Sequence, residues 1–340
     1  MSSLPQSPAR AWFGTHDGRL LCGEGPFEDC AEPPVEGVAF YWNDFGLTES
    51  RPWHVPATVR EIDRADLGAE LVGIQAEWQP LKAMAFANVF REVSEAIAKG
   101  TIDKCVPVVT ERGVLVGSAE GLGARLLQTV KDSPTPLRPY GVEGANGGFF
   151  GLTPEVLFSS SGMHLDTMAL AGTANRFERE VFAEDDKEIR EHEFVAQTLI
   201  AKLSDLGVVT RQPRGILDLG RLLHFQTLIG VDFFRDEEAG QLVRRLHPTP
   251  ALGPLPRTEE TMARLGHWRG ELECPPWFGA PFGLWRQGHF EALVGIRGIG
   301  WQGNELFLPS GCGVIAESRL MNEWRELRLK RESVKSLFFG

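Results

Sequence analysis

Four carboxylates at matched spacing are the first sign of chemistry in this sequence: Glu188 with Glu191, and Glu323 with Glu326. Both pairs fall in stretches of helical pattern, where residues three apart are neighbours on one face. Two such helices facing each other would gather four negative charges, which is costly unless a cation neutralises them. Mg²⁺ suits the arrangement, because it takes oxygen ligands in near-octahedral geometry and leaves positions open to water or substrate. The competing expectation is two solvated acidic faces paired with Lys187, Arg190, Arg325 or Arg328.

Other residues add to this. Gly311-Cys312-Gly313 reads as a glycine turn ahead of the last helix, offering bare backbone N–H groups and a positive helix end to an anion, with Cys312 as a small filler. Gly172-Thr173 repeats the theme of bare N–H groups at a turn, suited to a carboxylate. Lys104 stands just before an apolar strand; it either snorkels to the surface or, buried beside a cation, takes a proton from water as a neutral amine. Glu155 follows a Thr-Pro turn, and in a partly apolar site it would hold a proton and act as general acid. Arg297 is the odd charge in an otherwise apolar strand, either a paired core arginine or a bidentate clamp on a substrate carboxylate.

The elements that must position these groups are legible from periodicity. Apolar residues from Met84 to Ile97 recur at helical spacing over Pro80–Lys99, and Gly100 stops the helix. A second helix runs from about Asp186 to Leu206, with Phe194, Val195, Leu199, Ile200 and Leu203 as its buried stripe. A third ends the chain near Leu337. Strands are expected at Val38–Trp42, Leu71–Ile74, Lys104–Thr110, Val156–Phe158, Met163–Leu170 and Leu222–Gly230, and then at Gly279–Trp285, Phe290–Ile299 and Asn304–Leu308. Leu246–Gly253 is a loop fixed by two prolines and a glycine. Without repeats or a clear linker, the pattern predicts one continuous α+β unit, antiparallel-rich sheets layered with helices.

Composition narrows the class. A 42% hydrophobic and 24% charged chain of 340 residues is that of a globular enzyme. Its net charge of −11 argues against nucleic acid or an anionic membrane as partner. No apolar run approaches the roughly 20 residues of a membrane span, and the start lacks a signal pattern, so a cytoplasmic location is expected. Five irregularly spaced cysteines fit a reducing compartment and suggest no zinc.

Taken in order, these segments resemble the chorismate-utilising enzymes: isochorismate and salicylate synthases, and the large subunits of anthranilate and aminodeoxychorismate synthases. The matching pieces are Asp103-Lys104, Thr153-Pro154-Glu155, Leu170-Ala171-Gly172-Thr173, Arg176, Glu188-x-x-Glu191-His192 and Leu223-His224. Further along come Leu246-His247-Pro248-Thr249-Pro250-Ala251-Leu252, Gly295-Ile296-Arg297 and Gly311-x-Gly313-Val314-Ile315 to Glu323-Trp324-x-Glu326. They run in family order from about residue 78, which implies a catalytic core over 78–340 and an N-terminal part of the sheet over 1–77.

Within that family, Lys104 together with Ala171 is similar to the members that use water rather than ammonia, and the Leu246–Leu252 loop is closer to isochorismate synthases than to salicylate synthases, which also eliminate pyruvate. The resemblance implies chorismate as substrate and Mg²⁺ held by Glu188, Glu191, Glu323 and Glu326. It implies Lys104 as base and Glu155 as acid, with Arg297 and the Gly311–Gly313 turn on the enolpyruvyl carboxylate. Gly172 and Thr173 would lie on the ring carboxylate, His224 near the ring, and His192 would orient Glu191. The assembly implied is a monomer or homodimer. The chain departs from the family pattern at Cys312, at Ser318-Arg319-Leu320-Met321, at Val109-Thr110 and in its short N-terminal region.

Overall fold

The computed structural model describes all residues except 1–3, 6–7, 68–72, 132, 134–135 and 340. Among the described residues, seventeen strands join in one antiparallel network, accompanied by seven α-helices. This is the expected α+β layering. Strands before residue 78 are woven into later ones: Pro8–Gly14 pairs with Arg138–Gly144, and Val38–Trp42 pairs with Pro281–Arg286. Residues 71–72 of the expected Leu71–Ile74 strand lie outside the described residues, and residues 73–74 are not in a strand.

Side chains from the network fill two large apolar clusters. One gathers Phe40, Trp53, Phe158, Phe282 and Phe290. The other gathers Trp12, Leu126, Phe150, Trp301 and Phe338. Burial of such residues is the main force holding the layers together, at roughly 25 cal/mol per Å² of apolar surface.

Three helices and two strands matter for the site. Helix Ala83–Ala98 buries Phe86, Val89, Val93 and Ala96 as its stripe spacing predicts, and Gly100 ends it at φ +68°; Met84, read as part of that stripe, is exposed. Helix Asp186–Leu203 is capped by Asp185, whose side chain accepts from the N–H groups of Lys187 and Glu188. Its inward face carries Val195, Leu199 and Leu203, and also Glu188, Glu191 and His192. Helix Leu320–Phe338 buries Glu323, Leu327, Arg331, Val334 and Phe338, one residue per turn along a single line. Arg331 Nε donates to Glu111 at 3.0 Å and Lys335 Nζ to the same carboxylate at 2.7 Å, which fastens this helix to strand Val108–Leu115. That strand pairs along its length with Glu305–Gly311, the strand leading to the glycine turn.

Two local expectations are corrected. The strand expected over Lys104–Thr110 begins regularly only at Val108, because Pro107 has no N–H to give a ladder; Lys104 and Cys105 make isolated bridges to Leu255 and Val314. The strand expected over Phe290–Ile299 is interrupted: His289–Val294 and Gly298–Gln302 are separate, and Arg297 lies between them at φ +56°. A non-glycine residue in that region is uncommon and points to a specific constraint.

Candidate active site

A cavity opens where the 186–203 helix, the 320–338 helix and the strand ends meet. Glu155, Gly172, Glu191, His224, Arg297 and Gly311 are among the residues on its wall. Thr173, Gly313, Glu326 and Lys330 also reach it. Strand His164–Asn175 delivers Gly172 and Thr173 at an irregularity between Ala171 and Ala174, where its pairing to strand Leu222–Phe233 shifts register. Gly172 needs its missing side chain there: its φ is +77°, and a Cβ would sit 3.2 Å from Glu188 Oε2.

The acidic pairs do converge, around an ammonium. Lys187 Nζ lies 2.8 Å from Glu188, 3.5 Å from Glu191 and 3.3 Å from Glu323. Burial lifts Glu188 and Glu323 to about 7, with the nearby Glu326 charge adding to the effect and Lys187 opposing it. Burial works the same way on Glu191, but Lys104, Lys187 and Lys330 outweigh it and hold that carboxyl down at about 2. Glu323 Oε2 is buried with no hydrogen-bond partner. Glu326 turns instead to Lys330, at 2.6 Å, and Lys330 Nζ also donates to Gly311 O at 2.8 Å.

As arranged, no three His, Cys, Asp or Glu side chains among the described residues form a ready metal cage. The donor set nevertheless fits a hard cation: three carboxylates already share one positive charge, and a fourth oxygen lacks any partner.

Lys104 is fully buried, with Nζ 3.1 Å from Glu191 Oε1. The two groups are close enough to pair as ions, and Lys104 is first among the charges that hold Glu191 down. Gly313 permits this approach: a Cβ there would fall 1.8 Å from Glu191 Oε1 and 3.0 Å from Lys104 Cε. Gly313→Ala is therefore expected to push Glu191 away from Lys104 and cut turnover by about a hundredfold, the usual cost of a misplacement near 1 Å. Steady-state kinetics on the folded variant checks this, and an unchanged kcat would mean that the Lys104–Glu191 geometry does not matter.

Glu155 is buried on the cavity wall, and Thr249 Oγ1 donates to it at 3.0 Å. Burial dominates and pushes its carboxyl up to about 7, against the lowering effects of Thr249 and of Lys104, Lys330 and Arg297. His224 Nδ1 is 2.7 Å from Gly172 O, and its Nε2 is 2.9 Å from Arg297 Nη2. A carbonyl cannot donate and a guanidinium cannot accept, so His224 carries its proton on Nδ1, and its Nε2 accepts a hydrogen bond from Arg297. Burial first, and then the Arg297 charge, keep it neutral. Burial also draws Arg297 down to about 10, and among the described residues its side chain makes no hydrogen bond to a carboxylate.

Several expected roles change. Cys312 is turned into the apolar core rather than the cavity, and burial pushes its thiol well up. The last helix starts at Leu320, well beyond Gly313, so its N-terminus is not part of the glycine turn. The Thr173 N–H is not bare, since it donates to Glu188 Oε2 at 2.8 Å, although Gly172 and Thr173 both line the cavity. His192 hydrogen-bonds Thr227 at 2.9 Å and makes no hydrogen bond to Glu191. Three further residues contribute that the sequence pattern does not single out for the site: Thr249 of the Leu246–Gly253 loop, Lys330, and Lys187, expected only as a counter-charge of a solvated acidic face. The four-residue spacing of Lys330 from Glu326 was the available signal.

Comparison with known proteins agrees with the geometry. The profile of the family described as chorismate binding enzyme matches residues 64–338. Isochorismate synthase EntC of Escherichia coli K12 is 25% identical over 339 residues, covering 94% of this chain and 81% of that protein. The salicylate biosynthesis isochorismate synthase of Pseudomonas aeruginosa is 30% identical over 205 residues, 56% of this chain and 42% of that one. The solved structure of MenF, the menaquinone-specific isochorismate synthase of Escherichia coli, superposes with a TM-score of 0.81 at 17% identity, covering 99% of this chain and 90% of that one. Anthranilate synthase component I of Streptococcus pneumoniae shares the fold more distantly, at a TM-score of 0.67 and 14% identity over 97% of this chain and 91% of that one. With a profile match over most of its length, the chain belongs to the chorismate-binding enzyme family.

Proposed function

We propose that this enzyme is a Mg²⁺-dependent isochorismate synthase, which adds water at C2 of chorismate and expels the C4 hydroxyl. The observation that carries the reading is Glu155, a cavity-wall carboxyl kept protonated up to about pH 7, where an acid is needed to release hydroxide as water. Lys104, buried beside Glu191, takes the proton of the entering water on the lone pair of its neutral amine. The ring double bonds shift as the new C2–O bond forms and the C4–O bond breaks. One water enters and one leaves, so the net change is an isomerisation. The proton gained by Lys104 and the one lost by Glu155 are exchanged with solvent before the next turn.

Arg297, oriented by His224, clamps the enolpyruvyl carboxylate beside Gly311 and Gly313. The Gly172–Thr173 corner borders the ring carboxylate. Mg²⁺ bound by Glu188, Glu191 and Glu323, with Glu326 nearby, would supply positive charge to that carboxylate and draw electron density out of the diene. No helix among the described residues is long and apolar enough to cross a membrane. We place the enzyme in the cytoplasm as a monomer or homodimer.

The test is incubation of purified protein with chorismate and Mg²⁺. Isochorismate without pyruvate is expected. Salicylate with pyruvate, an ammonia-dependent product, or binding without turnover would each overturn the assignment. In the same assay Glu323→Ala is expected to shift the Mg²⁺ requirement at least about tenfold upward, since one of few carboxylate ligands is lost. An unmoved titration midpoint would remove Glu323 from the metal site.

A further inference from the structure

We infer that Lys187 is a built-in counter-ion for the acidic cluster, which it holds together without metal and must leave before a divalent cation enters; this rests on the metal-dependent reading above. Its ammonium lies within 3.5 Å of three carboxylates from two helices. A Mg²⁺ bonded to the same oxygens at about 2.0–2.1 Å has no room beside it, and the two positive charges repel.

The position of Lys187 on its own helix points the same way. It sits in the first turn, two residues after the Asp185 cap, where the helix dipole disfavours a cation. The carboxylates, not the helix, account for its placement. The other two lysines of the site each pair with one carboxylate of the cluster: Lys104 is fully enclosed against Glu191, and Lys330 is held by Glu326 and Gly311 O. Lys187 keeps 20% of its side chain exposed, so its four-carbon stem has an outward path that Lys104 lacks.

A protein whose competent state is only a minor fraction binds more weakly by that fraction. Lys187→Met, which keeps most of the unbranched stem and removes the charge, is therefore expected to bind Mg²⁺ about tenfold more tightly by calorimetry. In chelator the variant should melt below the wild type, and saturating Mg²⁺ should close that gap. Loss of one positive charge alone would also tighten binding, so displacement is read on the wild-type enzyme. Acetic anhydride labelling followed by mass spectrometry should show Lys187 protected without metal and reactive with it, while Lys104 stays unlabelled in both. Equal Mg²⁺ affinities, or Lys187 labelling that ignores the metal, would overturn the inference and leave the proposed function standing. Failure of wild type and variant alike to bind Mg²⁺ would overturn both.

Discussion

Glu155→Gln is expected to lower kcat by about 10²–10⁴-fold, the usual range for loss of a general acid. The amide keeps the shape of the side chain, and Thr249 Oγ1 can still donate to its carbonyl, so the cavity wall stays in place. What disappears is the proton. In the wild type Glu155 is protonated below about pH 7, so activity should decline above that pH, and the variant should lack this decline. Folding stability offers a second readout. Burial raises the carboxyl from 4.5 to about 7, so between these values the native state binds more protons than the unfolded chain. The stability associated with the protonated form is complete below about pH 4.5 and is lost as pH rises through about 7, by roughly 3 kcal/mol from this residue. Glutamine has no such loss. Urea unfolding of both proteins should therefore show the variant gaining on the wild type from pH 5 to pH 8. Glu188 and Glu323 titrate in the same window but are present in both proteins, so they cancel to first order. A wild-type rate in Glu155→Gln, or a stability gap that does not widen, would separate Glu155 from the acid role.

The parts of this site that could be read from sequence are those whose chemistry conflicts with their local pattern. Paired glutamates at helical spacing, a lysine at the edge of an apolar run and an arginine inside one are each costly to bury alone. Their convergence needed the fold, because residues 188 and 323 are far apart in sequence and meet through two helices that both contact strand His164–Asn175. Arg297 shows where the local signal ends. The run Leu293-Val294-Gly295-Ile296 before it and Gly298-Ile299 after it is continuously apolar, so nothing local announces a break. The break is made by distant groups: Leu152 N–H bonds Arg297 O, and the Tyr140 hydroxyl bonds Ile296 O. Thr249 was invisible for a similar reason, since its partner Glu155 is on another part of the chain. Cys312 is the buried small filler its place suggests and does not join Gly311 and Gly313 on the cavity wall, because a glycine turn says where the backbone can approach, not which way its middle side chain points.

Lys104→Ala should abolish nearly all turnover, by about 10³-fold or more, since a base and its buried position are lost together. The fold should survive, because the backbone of Lys104 keeps its bridge to Leu255, with Leu255 N–H bonded to Lys104 O at 2.9 Å. Stability should nevertheless fall by about 3–5 kcal/mol, the usual result of removing one partner from a buried ion pair. Glu191 limits that loss, since Lys187 stays 3.5 Å away and Lys330 also acts on its charge. The decisive measurement separates binding from chemistry. Arg297, Gly311 and Gly313, the groups proposed to hold the substrate carboxylate, are untouched, so chorismate should still bind with little change while kcat collapses. Small primary amines added to the variant should restore part of the rate, because the space vacated beside Glu191 is the size of the side chain removed. A variant that raises KM but keeps kcat would make Lys104 a binding group and move the base elsewhere. A variant with full activity would leave the buried amine with only a structural part in holding Glu191.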